Sequence, residues 1–421
     1  MSDDITNQVN SPTIPEPSRW FVFNLIAVYF ALSMALLTPP MMTIAMRVAQ
    51  IAPENKEHVL GLLLGIGSVV AILANPLAGY FSDRTKSSWG KRKIWMVMGT
   101  LVGTFGLGLI AWGGVAVMIV GWCLTQLGLN AVAAALMALL PDKIPQHKRG
   151  MVSGALGMTI PAGILAGIAL TNFTDGNVYA MFLIEPAILL IAVLILCASY
   201  RDLPCTADNS VPFSLRRLGK DFYFNPLAQL DFTWAFISRF MFFMAMATFF
   251  GYQVYFLMDR LGYQVSAIPE VMLKLNLVTS VIQIGSSFLS GWLSDRMNNR
   301  KFFIWTSAAM YGIGLVLVAY SNDYNSFLLG ACVMSCSFGV YLAVDMALVT
   351  EVLPDPENNA AKDLGIFNVA GTMPQTLAPA IAPIFLFMGH ADSPDYNSLF
   401  LAAAVYAILG AWAIFPIKGV R

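Results

Sequence analysis

Twelve apolar segments follow one another along the chain and are separated by shorter polar stretches. In chain order they cover residues 20–47, 57–82, 92–113, 115–140, 149–171, 178–200, 231–258, 268–293, 301–320, 325–353, 361–388 and 395–416. A helix needs about 20 mostly apolar residues to cross a bilayer, and lipid offers its backbone groups no hydrogen-bond partners. The pattern therefore predicts an all-α membrane protein with twelve transmembrane helices, numbered α1 to α12.

The composition agrees with a membrane protein. Of the 421 residues, 57% are hydrophobic and 11% are charged, and the mean hydropathy is +0.68. Soluble domains contain about 25% charged residues. The 24 Lys and Arg residues balance the 24 Asp and Glu residues, so the net charge does not indicate a nucleic-acid partner. We expect a multi-pass protein in contact with membrane lipid.

The basic residues predict the orientation, because Lys and Arg concentrate on cytoplasmic loops. With a cytoplasmic N-terminus, 19 of the 24 basic residues fall on cytoplasmic segments. Arg47, Lys56 and Arg260 then fall outside, and Arg239 and Lys274 fall within spans. The opposite orientation would place nearly all of this charge outside. We therefore predict an inner-membrane protein with both termini cytoplasmic.

Two polar segments divide the chain. Residues 1–18 lack the basic-then-apolar pattern of a signal peptide and predict a disordered cytoplasmic tail. Residues 201–230 are proline-containing and basic, and predict a cytoplasmic linker with a short amphipathic helix around 213–222. The predicted halves are 19–200 and 231–421, with six helices each.

The two halves carry matching motifs at offsets of 212 or 213 residues. The loop in 75–93 returns, shortened, in 290–301, and Leu-Pro-Asp after α4 returns after α10. The matched pairs are Gly79 and Gly291, Asp83 and Asp295, Arg84 and Arg296, Arg149 and Lys362, and Pro161 and Pro374. We interpret the halves as duplicated parallel repeats.

A Gly, then Asp-Arg, then a basic cluster between two apolar runs resembles the loop joining helices 2 and 3 of the major facilitator superfamily. The resemblance covers nearly the whole chain. It implies two pseudo-symmetric six-helix halves, a solute site between them near the membrane midplane, and alternating access. It also implies a transporter rather than an enzyme, with no catalytic residues.

The longer form of this loop, from Asn75 to Lys93, resembles the glycoside/pentoside/hexuronide cation symporters and the sucrose–proton symporters. Residues 345–375 also resemble the sucrose–proton side. The chain departs from the melibiose-type sodium symporters, since residues 61–82 contain no carboxylate. This departure favours a proton over sodium as the coupling ion.

Charged side chains inside spans are candidates for function, because each costs several kcal/mol unless it is paired or hydrated. Arg239 in α7 and Asp345 in α10 each lie about 12 Å from the cytoplasmic end of their helix. The resemblance places them on facing walls of the cavity. Asp345 is a proton carrier in one interpretation and half of a permanent structural ion pair in the other. Glu185, before Pro186, is either a second proton site or hydrogen-bonded at that turn.

One-sided polar stripes on lipid-bathed helices must face protein or water. Amides and hydroxyls beside aromatic rings suit a sugar, which needs many hydrogen bonds and a flat apolar wall. The candidate solute-binding residues are Asn24, Tyr29, Gln126, Asn130, Tyr252, Gln253, Asn276, Gln283, Tyr341, Asn368, Thr372 and Gln375. The alternative for each is a hydrogen bond that joins helices.

The loop motifs supply candidate gating residues. By resemblance, Asp83 reaches the start of α11 and Asp295 the start of α5, where free N–H groups attract a carboxylate. The alternative is local pairing of Asp83 with Arg84 or Lys91. The gating candidates are Gly79, Asp83, Arg84, Arg92, Arg149, Gly291, Asp295, Arg296 and Lys362.

Neither a phosphate-binding glycine loop nor a nucleophile–base or metal-ligand constellation is found in the sequence, and no cofactor is expected. The function that these observations favour is proton-coupled uptake of a small-molecule solute, a sugar or glycoside, by a monomer. The alternatives are an efflux or organic-anion carrier, or a relative that assists pigment assembly rather than transport.

Overall fold

The computed structural model describes residues 16–202, 229–297, 299–352, 360–388 and 394–417. Within these ranges the chain forms twelve long helices and no strand, which confirms the predicted fold class. Their bounds are α1 Arg19–Ile51, α2 Lys56–Asp83, α3 Lys93–Trp112, α4 Val115–Lys143, α5 Gln146–Asn172, α6 Val178–Ser199, α7 Leu230–Arg260, α8 Ile268–Met297, α9 Arg300–Ala319, α10 Tyr324–Val352, α11 Ala360–Leu386 and α12 Tyr396–Trp412.

Eleven of these described helices are long and apolar enough to cross a membrane, and the twelfth, α12, is a shorter apolar helix of 17 residues. The predicted short helix around 213–222 and most of the predicted tail lie outside the described residues.

Polar caps begin several helices. Ser18 accepts the Phe21 N–H at 3.1 Å, and Asp395 accepts the N–H groups of Asn397 and Ser398. Such caps satisfy backbone donors that the first turn leaves free.

α1 ends at Ile51, beyond its predicted end at residue 47, and contains an irregular turn. Pro39 and Pro40 cannot donate backbone hydrogen bonds, and the chain forms a π-helical turn over Pro39–Thr43 before the α-helix resumes at Ile44. α7 closes with a similar π-helical turn over Phe256–Arg260. Both irregular turns lie near the same end of the bundle.

The packing of the first six helices is repeated by the last six. α3 packs on α4, α2 on α4, α1 on α5 and α6, and α3 on α6. Adding six to each number gives the contacts of the second half: α9 on α10, α8 on α10, α7 on α11 and α12, and α9 on α12. Two related contacts join the halves, α2 with α11 and α5 with α8. The motif repeats of the sequence therefore correspond to a repeated three-dimensional arrangement.

Glycines allow close helix approach between α3 and α4 and between the corresponding helices α9 and α10. A Cβ at Gly106 of α3 would lie 2.6 Å from the backbone nitrogen of Thr125 in α4. A Cβ at Gly314 of α9 would lie 2.9 Å from the carbonyl oxygen of Gly330 in α10. Small residues allow helices to pack at short range where lipid supplies no hydrophobic driving force between them.

The helix bundle has two ends, the motif face and the far face. The motif face is the end where residues 84–92 join α2 to α3. The far face is the end where α1 meets α2, α7 meets α8, and α11 meets α12. α2 and α11 touch towards the far face, where a Cβ at Gly61 would lie 2.5 Å from the carbonyl oxygen of Pro379. Towards the motif face, the described structure places no atom of another element within 4 Å of a Cβ at Gly79 of α2.

Candidate functional site

Arg239 of α7 and Asp345 of α10 form an ion pair through Nη1 and Oδ2, as their predicted depths suggested. Their side chains are 11% and 5% exposed. The guanidinium carbon lies 4.6 Å from the ring centroid of Phe367 in α11 and 5.2 Å from that of Phe243. The face of an aromatic ring attracts a cation, so both rings support the buried charge. The pair therefore joins three helices of the second half.

Tyr341 completes the surroundings of the carboxylate. It lies one turn before Asp345 on α10, hydrogen-bonds to it, and is 1% exposed. Its ring stacks on Phe242 of α7 at a centroid distance of 3.8 Å. The stacking fixes the position of the Tyr341 hydroxyl. The Asp345 carboxylate therefore contacts both the Arg239 guanidinium and this hydroxyl. A carboxylate with both partners can remain charged in a dry interior, and a proton can also neutralise it.

The polar side chains of α11 lie beside this pair. A Cβ at Gly371 would come within 3.4 Å of the Arg239 guanidinium, and Asn368, Thr372 and Gln375 are exposed on the same helix. The carbonyl oxygen of Gln375 accepts a hydrogen bond from Ser68 of α2 at 3.1 Å. These three candidates therefore lie within about one helical turn of Gly371, which contacts the ion pair, and their side chains are exposed.

Three other candidates already have partners within their own helices. The Asn130 amide donates to the side-chain and backbone oxygens of Gln126, both at 2.8 Å. Asn276 donates to the carbonyl oxygen of Met272 at 2.8 Å. Gln126 is 8% exposed. In this conformation these three residues therefore make hydrogen bonds within the protein. Gln283 on α8 is partly exposed.

The structure places four further candidates apart from the ion pair or in the core. Tyr252 and Gln253 are buried near the end of α7, about 20 Å along the helix from Arg239. The Tyr252 hydroxyl donates towards the carbonyl oxygens of Glu57 and Pro379. Asn24 is 4% exposed in α1, where Tyr29 is half-buried.

Glu185 is enclosed within the first six helices. It is 3% exposed and faces Thr38, the last residue before the π-helical turn of α1, and Gly167 of α5. A Cβ at Gly167 would lie 2.8 Å from the Glu185 carboxylate. The glycine therefore makes room for the acid. The structure does not bring Glu185 together with Asp345, which belongs to the other half.

Arg92 organises the loop at the motif face. It is 3% exposed and pairs with Asp83, with Asp142 at 3.3 Å and with the Ser82 hydroxyl at 2.9 Å. Asp202 accepts the backbone N–H of Arg92 at 2.6 Å and so caps α3. Asp83 thus binds a partner that neither sequence hypothesis named. The contacts of the Arg92 side chain lie within the first half, and Asp202 stands at the start of the linker.

The remaining gating candidates also make local contacts. Arg149 donates to the carbonyl oxygens of Pro141 and Ile144, both at 3.0 Å. Arg84 lies over the Tyr80 ring, and Arg296 lies over the Trp292 ring. A Cβ at Gly291 would meet Ala343 at 3.8 Å. The side chains of Asp295 and Lys362 lie outside the described residues.

One cluster at the far face was not predicted from the sequence. Lys56 and Glu57 of α2 meet Asp259 of α7 and Tyr396 of α12, which joins the two halves. Tyr255 adds a hydrogen bond from its hydroxyl to the carbonyl oxygen of Lys56 at 3.3 Å. Three segments that are distant in the sequence supply these groups, so no local sequence pattern indicated their meeting. The sequence offered one signal for this cluster, namely charged residues at helix ends on the side of the membrane that carries few basic residues.

Comparisons with known proteins agree with this architecture. The sequence profile of the Major Facilitator Superfamily matches residues 21–279 and 269–420. A general alpha-glucoside permease of Schizosaccharomyces pombe is 24% identical over 166 residues, a match covering 33% of this chain and 30% of the permease.

Two solved structures share the fold. A bacterial homolog of the human lysosomal transporter Spinster, inward-facing and unoccupied, superposes with a TM-score of 0.71 at 15% identity, covering 95% of this chain and 97% of that one. The nucleoside transporter NupG (D323A mutant) superposes with a TM-score of 0.73 at 14% identity, covering 94% and 99%. The profile match across the chain, with twelve helices in two repeated halves, shows that this protein is a transporter, not an enzyme, and belongs to the major facilitator superfamily.

Proposed function

We propose that this transporter takes up a sugar or glycoside together with a proton, by alternating access between its two halves. The observation that carries the proposal is the buried Arg239–Asp345 pair beside the exposed polar side chains of α11. Ionisable groups at this depth of a membrane protein mark ion or solute pathways.

The pair supplies a proton-dependent change of charge. When a proton binds Asp345, the carboxyl loses its charge and its hold on Arg239 weakens. Arg239 then offers guanidinium N–H groups to a solute hydroxyl, while Tyr341 still donates to or accepts from the carboxyl. Solute and proton binding thereby favour each other. Release of the proton restores the ion pair and expels the solute from the same place.

The neighbourhood suits a neutral polyol better than an anion. Asn368, Thr372 and Gln375 offer amide and hydroxyl groups, and Phe367 offers an aromatic wall. Arg239, the cation of this site, is already neutralised by Asp345. The partial similarity to a fungal alpha-glucoside permease supports a sugar or glycoside as the solute.

The orientation follows from the charge distribution. We place the motif face in the cytoplasm of the cell and the chain in the inner membrane, because 19 of 24 basic residues then lie on the cytoplasmic side. With this placement the joined far face is the outer one. The conformation described here then has its two halves in contact at the outer face.

Counterflow in proteoliposomes tests the solute and the ion separately. The panel contains sugars, glycosides, nucleosides and organic anions, each measured under an imposed proton gradient and under a sodium gradient. We expect counterflow with a sugar or glycoside, and uphill accumulation with the proton gradient alone. Transport confined to an organic anion, or driven by sodium alone, would contradict the proposal.

A further inference from the structure

The far-face cluster holds two carboxyl groups, one lysine and one tyrosine where the halves meet. Glu57 is 4% exposed, and the Asp259 side chain is 27% exposed. Lys56 bonds Oδ1 of Asp259, whereas its Nζ is 4.0 Å from Oε1 of Glu57, beyond hydrogen-bond length. The single lysine is therefore shared by two carboxyl groups, with a hydrogen bond to Asp259 and a longer ion-pair contact to Glu57.

The hydroxyl of Tyr396 lies between the two acids. Its oxygen is 2.5 Å from Oδ2 of Asp259 and 3.3 Å from Oε1 of Glu57. A tyrosine hydroxyl has one hydrogen to donate, and an ionised carboxylate can only accept. The shorter contact indicates that the Tyr396 hydroxyl donates its hydrogen to Asp259. The contact with Glu57 is then a hydrogen bond only if Glu57 itself carries the proton and donates it to the Tyr396 oxygen.

The other described titratable groups around Glu57 do not supply a second positive charge. The hydroxyls of Tyr252 and Tyr255 point to backbone carbonyls of α2. His58 is exposed and stacks on Phe387 at 4.8 Å, and Arg260 donates to Asn322.

Among the described residues, the Glu57 carboxyl also accepts a hydrogen bond from its own backbone N–H in the first turn of α2. One lysine does not balance two carboxylates, so a second carboxylate buried at this point would repel Asp259 and lose its hydration. A proton on Glu57 removes both penalties.

We propose that Glu57 binds a proton, shared with Tyr396, when the far face closes, so that proton binding and closure stabilise each other. Glu57 belongs to the first half, and Asp259 and Tyr396 belong to the second. Opening the far face separates them and returns Glu57 to water, where it ionises. This site is distinct from Asp345, whose described partners all lie in the second half. The proposal requires alternating movement of the halves, but neither a sugar nor proton-coupled uptake.

Hydrogen exchange of the full-length protein in lipid nanodiscs, without solute, measures far-face closure directly. Exchange of peptides covering 52–60 and 256–264 is compared between about pH 5.5 and 8.5, after correction for the intrinsic pH dependence of amide exchange. In the wild type we expect the open fraction to rise with pH, by up to about tenfold per pH unit for one linked proton. A wild type whose far face shows no pH dependence overturns the proposal.

Glu57→Gln is the decisive variant, because its amide donates to the Tyr396 oxygen as the protonated acid does. It should keep the far face closed over the whole pH range. Glu54→Gln, an exposed glutamate of the same connection, is the matched control and should behave as the wild type. A wild-type pH slope in Glu57→Gln, or a flat profile in the control, would refute the assignment.

Tyr396→Phe provides an independent arm if Glu57→Gln fails to fold. It removes the hydroxyl that both acids share, so far-face protection should fall most at acid pH. Unchanged protection at acid pH would mean that Tyr396 does not hold the proton and would overturn the proposal. Because the hydrogen-exchange experiment contains no solute, its result does not depend on the outcome of the counterflow experiment. The counterflow result likewise does not depend on the hydrogen-exchange result.

Discussion

Arg239 and Asp345, which are 106 positions apart, form an ion pair that lies wholly within the second half. The pair joins α7 to α10, and Phe367 of α11 covers the guanidinium. The contact can therefore persist while the halves move relative to each other. The Lys56–Asp259 pair differs, since it crosses between the halves and must break when the far face opens. The two ion pairs consequently have different places in an alternating cycle.

Asp345→Asn should abolish pH-driven accumulation while some solute exchange persists, because exchange requires no net proton release. The asparagine keeps the shape of the side chain and removes the titratable group. The measurement is uptake under a proton gradient against counterflow in the same proteoliposomes. Asp323→Asn, at the exposed start of the same helix, should retain both activities. Undiminished uphill transport in Asp345→Asn would contradict the assigned role.

Arg239→Ala should reduce the yield of folded protein more than Arg239→Ala combined with Asp345→Asn. The single change leaves a buried carboxylate without its cation, a loss of about 3–5 kcal/mol, whereas removing both charges costs far less. Monodisperse yield and melting temperature of the two variants provide the comparison. Effects that simply add across the two substitutions would show that the residues are not energetically coupled.

Arg92→Gln should lower the melting temperature, because the buried guanidinium ties Asp83, Asp142 and Ser82 together. Each charge-assisted hydrogen bond contributes about 1.5–3 kcal/mol. Lys86→Gln in the same loop is exposed and should leave the melting temperature unchanged. An Arg92→Gln protein as stable as the wild type would indicate that the loop does not depend on this contact.

Asp83→Ala should slow transport and lower the melting temperature less than Arg92→Gln does, since the Asp83 side chain is 56% exposed and Arg92 keeps Asp142 and Ser82 as partners. The resemblance to the superfamily gives Asp83 a second partner at the start of α11 when the motif face closes. Its loss should shift the population towards the conformation described here. Cysteine labelling of a position facing the motif-face opening should increase; labelling no higher than in the wild type would exclude a gating role.

Gly61→Ala should weaken closure of the far face. Its Cβ would lie 2.5 Å from the carbonyl oxygen of Pro379 and 3.0 Å from the Tyr252 hydroxyl, and the backbone of α11 cannot move without parting the halves. Far-face hydrogen exchange should therefore rise. Gly108→Ala in α3 has room for its methyl group, 3.8 Å from Leu183, and is the control. Equal exchange in both variants would show that the α2–α11 contact tolerates the added carbon.

The order of elements could be predicted from the sequence because lipid imposes a strict local requirement. Each span must satisfy its backbone hydrogen bonds internally, so hydrophobic length alone indicates a helix. The duplication was readable as well, since Gly79 and Gly291 or Asp83 and Asp295 recur at a constant spacing. The depth of Arg239 and Asp345 followed from the constant rise of the α-helix. Their proximity required only one added assumption, that α7 and α10 face each other.

Tertiary structure decided what depends on helix rotation and on the conformational state. The direction in which Asn130 points, towards Gln126, is set by side-chain geometry that a polar stripe does not specify. Asp83 meets Arg92 because the first half folds its own loop against α4. The meeting of Glu57, Asp259 and Tyr396 joins segments as far as 339 positions apart, and it exists only because the far face is closed. Contacts of this kind arise from the packing of the two halves against each other, and charged residues at helix ends do not indicate which of them will meet.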